Sequence, residues 1–145
     1  MSFLNSMNIS ASALTAQRTR LDIISENIAN IDTTRTEGGG PYRRKMVVFE
    51  PIGSGSFRSQ LVTAMNKNSN AGVRISEIVE DERPFKSVYN PDHPDANEQG
   101  YVMMPNVDIL KETIDSMSAT RAYDANVTAL NAIKLMAGRA LEIGR

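Results

Sequence analysis

Three short tracts hold residue types that can do chemistry. His93, the only histidine, lies between Asp92 and Asp95, a grouping able to hold a metal. One imidazole with two carboxylates at neighbouring positions does not supply ordinary tetrahedral ligation, so the tract is expected to form a turn. Glu80, Asp81 and Glu82 precede Arg83. Paired carboxylates serve general acid and base catalysis, but a short acidic run beside an arginine is expected on a solvated face. Gly38-Gly39-Gly40 could cradle a phosphate, yet no Gly-Lys-Ser/Thr follows, and a tight turn or hinge is the expectation. With no nucleophile and base pair, cofactor loop or metal cluster, the chain is expected not to be an enzyme and to need no cofactor.

Composition narrows the partners. The chain has 145 residues, 41% apolar and 23% charged, with a net charge of −1, as expected for one domain plus extensions. Near-neutral charge leaves no electrostatic footprint for nucleic acid, and Arg43-Arg44-Lys45 is too short to create one. No apolar run approaches the roughly 18 residues of a membrane helix, so no membrane insertion is expected. The first residues lack a basic region followed by an apolar one, so no cleavable secretory signal is expected. Cysteine is absent, which excludes disulfides and leaves the compartment open.

The elements that must position everything else lie at the two ends. From about Phe3 to Ile31 there is neither Gly nor Pro, and Met7, Leu14, Leu21 and Ile28 recur every seven residues, the spacing of a helical seam. Asp32-Thr33-Thr34 and the glycines before Pro41 must end this helix. A second helix is expected from Asn106, read as its N-cap with Asp108 in the first turn, to Ile143. Val107, Leu110, Ile114 and Met117 form one seam of it; Tyr123, Val127, Leu130, Ile133 or Lys134, Ala137 and Leu141 form another, slipped by one residue. The stripes of the two helices suit packing against each other.

Between the helices the period changes to two. Tyr42, Arg44, Met46 and Val48 would share one strand face with Val47 and Phe49 on the other, and Pro51 breaks the strand. Phe57 to Met65 is a weaker candidate. Asn66 to Gly72 reads as a hairpin tip leading into a strand at Val73 to Glu80, in which Val73, Ile75 and Val79 alternate with polar residues. Four prolines from Pro84 to Pro105 predict an extended connector without regular structure. The predicted fold is mainly α with a small β insert: long N- and C-terminal helices form an antiparallel coiled-coil pair around a central β-hairpin and loop region. The divisions are residues 1–34, 35–105 and 106–145. A lone helical pair with one wet side is marginal, so neighbouring copies or different subunits are expected to order it.

The tracts NISASALTAQRTRLD (8–22), SENIANIDTT (25–34) and GGPYRRK (39–45), with NPDHPDANEQGYVMMPNVD (90–108), ATRAYDANVTALNAIK (119–134) and ALEIGR (140–145), resemble the signatures of the flagellar axial proteins that build rod and hook. The resemblance implies a structural subunit of the basal-body rod, a drive shaft that transmits torque and encloses an export channel. It implies contact with other rod subunits, copies of itself and the adjoining ring or adaptor proteins, and export by the flagellar type III apparatus without signal cleavage. Assembly contacts are then expected at Met7, Leu14, Leu21, Ile24, Asn27, Ile28, Asn30, Ile31, Val107, Leu110, Ile114, Met117, Arg121, Tyr123, Val127 and Leu130. Arg121 and Tyr123 are of types favoured as interface anchors. The seams alone leave a second reading open, a soluble coiled-coil adaptor closing into a finite oligomer.

Overall fold

The computed structural model describes residues 3–52, 61 and 72–143. Two helices dominate it: α1, Phe3–Ala29, and α2, Ile109–Ile143. They make the most extensive packing among the described residues and run antiparallel, because Arg20 meets Asp115 while Asn27 meets Glu112. The most buried apolar residues of the facing stripes are small, Ala16 and Ala119, which lets the helix axes approach closely. Around them the half-buried residues of α2 (Tyr123, Asn126, Leu130, Ile133 and Ala137) continue the stripe at helical spacing.

Both helix boundaries differ from expectation. α1 stops at Ala29 rather than Ile31, because the chain tightens there: Ile31 N–H donates to Ile28 O and Thr33 N–H to Asn30 O, three residues back. α2 begins after Asp108, whose side chain accepts from Leu110 N–H at 3.1 Å while its carbonyl accepts from Glu112 N–H at 3.0 Å. Asp108 is thus the N-cap. Asn106 is not; its side chain is drawn into the interior.

Among the described residues the insert holds two hairpins instead of one. Strands β1, Lys45–Pro51, and β2, Val73–Glu80, pair antiparallel from Lys45 opposite Glu80 to Pro51 opposite Val73. The register shifts after Val48, leaving Ser76 as the extra residue of a bulge; its hydroxyl donates to Val48 O at 3.2 Å. Val73, Ile75 and Val79 are the half-buried residues of β2, as their alternation predicts. The strand expected at Phe57–Met65 and the tip at Asn66–Gly72 fall outside the described residues, apart from Leu61 and Gly72.

The stretch expected to be an irregular connector forms strands β3, Lys86–Tyr89, and β4, Tyr101–Met104, paired antiparallel as a separate sheet. The prolines misdirect the sequence reading because none falls inside either strand: Pro84 and Pro105 flank the hairpin, and Pro91 and Pro94 sit in its loop. Asn90 N–H donates to Gly100 O and Asn97 N–H to Tyr101 O, both at 2.9 Å. Gly100 has φ +79°, and the Tyr89 and Tyr101 rings meet edge to face at 5.3 Å. His93 Nδ1 accepts from Asp95 N–H at 3.1 Å, a turn contact, and Asp95 accepts from Thr34 Oγ1 at 2.8 Å, tying the loop to the segment after α1.

One close approach fixes the first hairpin on α1. Ser12 Oγ accepts from Val73 N–H at 3.0 Å, and a Cβ on the buried Gly72 would lie 2.3 Å from that oxygen. Gly72→Ala therefore forces the hairpin off α1 and is expected to lower the unfolding free energy by about 1–3 kcal/mol in urea titration. Gly138→Ala, where a Cβ meets nothing within 4 Å, is expected to raise it slightly through helix propensity.

Candidate functional site: a buried polar junction between the helices

The interior where α1, β1 and α2 converge is charged. Glu112 has 0% of its surface exposed and Asn27 1%. An isolated carboxylate cannot remain ionised there at tolerable cost, so its partners define the site. Arg44 Nε donates to Glu112 Oε1 at 2.6 Å and Arg44 Nη2 to Asp115 Oδ2 at 3.1 Å; Arg44 Nη1 lies 3.9 Å from Asp81 Oδ2. Arg83 covers the far side of Asp81, and Arg20 Nη2 lies 3.5 Å from Asp115 Oδ1. Three arginines and three carboxylates alternate, and the cluster is neutral.

Two asparagines complete it. Asn27 Nδ2 donates to Glu112 Oε2 at 3.0 Å and to Lys45 O at 2.9 Å, while Asn27 Oδ1 accepts from Lys45 N–H at 2.9 Å and from Tyr42 Oη at 3.0 Å. Its amide thus bonds to the strand as a backbone neighbour would. Asn106 Oδ1 accepts from Arg44 N–H at 2.8 Å, and its Nδ2 donates to Asp81 O and Arg83 O. Among the described residues, every buried side-chain polar atom of the junction has a partner, which is what keeps such a network from being destabilising.

The electrostatics match a structural role. Hydrogen bonds from Arg83, opposed in part by burial and reinforced by the nearby positive charges, hold the Asp81 carboxyl down at about 2. Burial, with the negative charges of Glu26, Glu112 and Glu80, pushes the Tyr42 phenol up to about 12, so it remains a hydrogen-bond donor. Neither group is tuned for proton transfer near neutral pH. The solvated face expected for Glu80-Asp81-Glu82 is corrected at Asp81: Glu80 and Glu82 are exposed, but Asp81 is buried because Arg44 and Arg83 neutralise it. At the triple glycine, Thr36 N–H donates to Gly40 O and Gly39 N–H to Thr36 O, closing a turn in which Gly39 and Gly40 have φ of +79° and +89°.

The residues expected at assembly contacts separate into two groups. Ile24, Asn27 and Val107 are buried within the subunit; Met7, Leu14, Leu21, Ile28, Asn30, Ile31, Tyr123, Val127 and Leu130 are half-buried. Leu110, Ile114 and Met117 are 68%, 54% and 51% exposed, and Arg121 is also exposed. The first seam of α2 therefore does not lie against α1. It points outward because Glu112, two residues from Leu110 and from Ile114, takes the inward position to meet Arg44. Sequence reasoning missed the roles of Tyr42, Arg44, Asp81, Asn106 and Glu112. The available signal was that Tyr42 and Arg44 stand in the GGPYRRK tract, and Asn106 in NPDHPDANEQGYVMMPNVD.

Removing one partner from a buried ion pair strands the other. Glu112→Gln is expected to cost about 3 kcal/mol in urea unfolding, and Glu80→Gln less than about 0.5 kcal/mol. The folded-state pKa of Asp81 is depressed, so its contribution is complete above the ordinary value of 3.8 and is lost as pH falls toward about 2. Asp81→Asn should therefore flatten part of the stability loss between pH 5 and 2, measured by denaturation at stepped pH.

Comparison with known proteins follows the same geography. Residues 7–35 match the family model described as "Flagella basal body rod protein", and residues 98–143 match "Flagellar basal body rod FlgEFG protein C-terminal". These spans include Asn27 on one side of the junction and Asn106, Glu112 and Asp115 on the other. The chain is 53% identical to the flagellar basal-body rod protein FlgC of Bacillus subtilis, with the whole of both chains covered. It is 42% identical to that of Borreliella burgdorferi, over 99% of this chain and 98% of the relative. With that of Salmonella typhimurium the identity is 39% over all of both chains. The chain therefore belongs to the FlgC family of flagellar basal-body rod proteins and is a structural subunit of the rod, not an enzyme.

Proposed function

We propose that the two terminal segments, residues 1–34 and 106–145, polymerise as a coiled-coil layer of the rod, with residues 35–105 as an outer insert. The layer transmits torque as a drive shaft and encloses the channel through which later subunits are exported. The subunit itself reaches the periplasm-spanning rod through the flagellar type III apparatus without signal cleavage. Its neighbours are copies of itself, other rod subunits and the adjoining ring or adaptor proteins. Membership of the rod family supports this reading, and one observation carries it: Leu110, Ile114 and Met117 form an outward apolar row on a 35-residue helix. A row at helical spacing with no cover among the described residues is the kind of surface a neighbouring helix buries. Long helices packed side by side resist shear through many small dispersion contacts, each weak alone.

Because the row contributes little to the fold of its own subunit, Leu110→Asn, Ile114→Asn and Met117→Asn should leave unfolding free energy within about 0.5 kcal/mol of the parent. The same substitutions should sharply reduce the subunit in purified basal bodies and abolish swimming in soft agar. Normal incorporation of the triple variant would remove the basis of this reading.

A further inference from the structure

The outer faces of the two helices are complementary to each other. On α1 the exposed residues run from Leu4 to Ala29 in alternating steps of four and three; on α2 an exposed stripe runs from Ile114 to Gly138 in steps of three and four. Each stripe carries one basic and one acidic residue, Arg18 and Asp22 on α1, Arg121 and Asp124 on α2. None of these four makes an ion pair among the described residues.

We propose that the outer stripe of α2 docks antiparallel on the outer stripe of α1 of a second copy of this chain, in the register that sets Arg121 against Asp22 and Asp124 against Arg18. This rests on the rod reading above and specifies its contact. Antiparallel alignment satisfies both charges at once. In a parallel alignment, setting Arg18 against Asp124 leaves Asp22 facing Thr128, so only one pair forms. The same register matches sizes towards both ends of the stripe: Ile114 falls opposite Ala29, Met117 opposite Ser25, and the exposed Leu4 opposite Gly138, above which there is open space. Large residues meet small ones, as interdigitated helices require. The two faces differ, so each docking leaves a free face for the next copy, and the contact extends an open stack.

The chain has no cysteine, which makes the register directly testable in cells carrying the full-length protein. Ala11→Cys/Asn131→Cys, opposite each other in this register, should give disulfide-linked oligomers on oxidation. Ser25→Cys/Asn131→Cys, about 21 Å out of register at 1.5 Å per residue, should not. Asp22→Arg and Arg121→Asp, each placing like charges together, should lower incorporation into basal bodies roughly tenfold or more, and the double exchange should restore it to within about twofold. A double exchange as defective as either single change, unaffected singles, or no cross-linking of the in-register pair would overturn the proposal. If these fail while Leu110→Asn/Ile114→Asn/Met117→Asn still blocks incorporation, the register is wrong and the rod contact stands; if that variant also incorporates, both fall.

Discussion

The fold depends on one buried ion pair, Arg44 against Glu112, and on the groups that make its burial tolerable. Removing two charges from water costs several kcal/mol per ion, which mutual attraction offsets only when the remaining hydrogen-bonding sites are filled. Here Asn27 fills the second oxygen of Glu112, Asp115 and Asp81 share the guanidinium, and Asn106 holds the backbone that carries Arg44. These residues come from α1, from the residue after β2 and from the start of α2 with the segment leading into it. The pair acts as a selector rather than as a source of net stability: an alignment that drew α1, β1 and α2 apart would strand its charges.

That selection matters because the helix interface by itself is permissive. Its best-buried apolar members include alanines, which contribute little side-chain shape to fix one register, and heptad-like spacing allows a slip by two turns at modest cost. The junction sits near one end of the pair and pins both helices to the first hairpin, while Ser12 and Gly72 pin the hairpin farther along α1. Two attachments about 22 Å apart along α1, at 1.5 Å per residue from Ser12 to Asn27, define an orientation, whereas one would leave a pivot.

The same constraint explains why α2 is apolar on its outside. With Glu112 turned inward, helical geometry carries Leu110, Ile114 and Met117 to the opposite side. A monomeric protein would avoid such a row, since contiguous exposed apolar surface promotes association. In a rod subunit, association is the outcome required, and a rigid internal junction keeps the exposed row in a defined direction.

The sequence by itself determined the two helices, β2 with its alternation, and the family signatures. Helix propensity, apolar period and turn chemistry are properties of neighbours in the chain, and they are written locally. It misjudged what depends on distant partners. Asp81 and Asn106 have polar side chains that belong on a face or a cap until Arg44 arrives from elsewhere to bury them. KSVY and YVMM are too short to declare themselves as strands until they pair across a proline-bearing loop. The period of α2 marks two apolar stripes but not which one faces inward. Tertiary structure decided that: Glu112 faces inward to meet Arg44, and helical geometry then carries the Leu110, Ile114 and Met117 row to the outside.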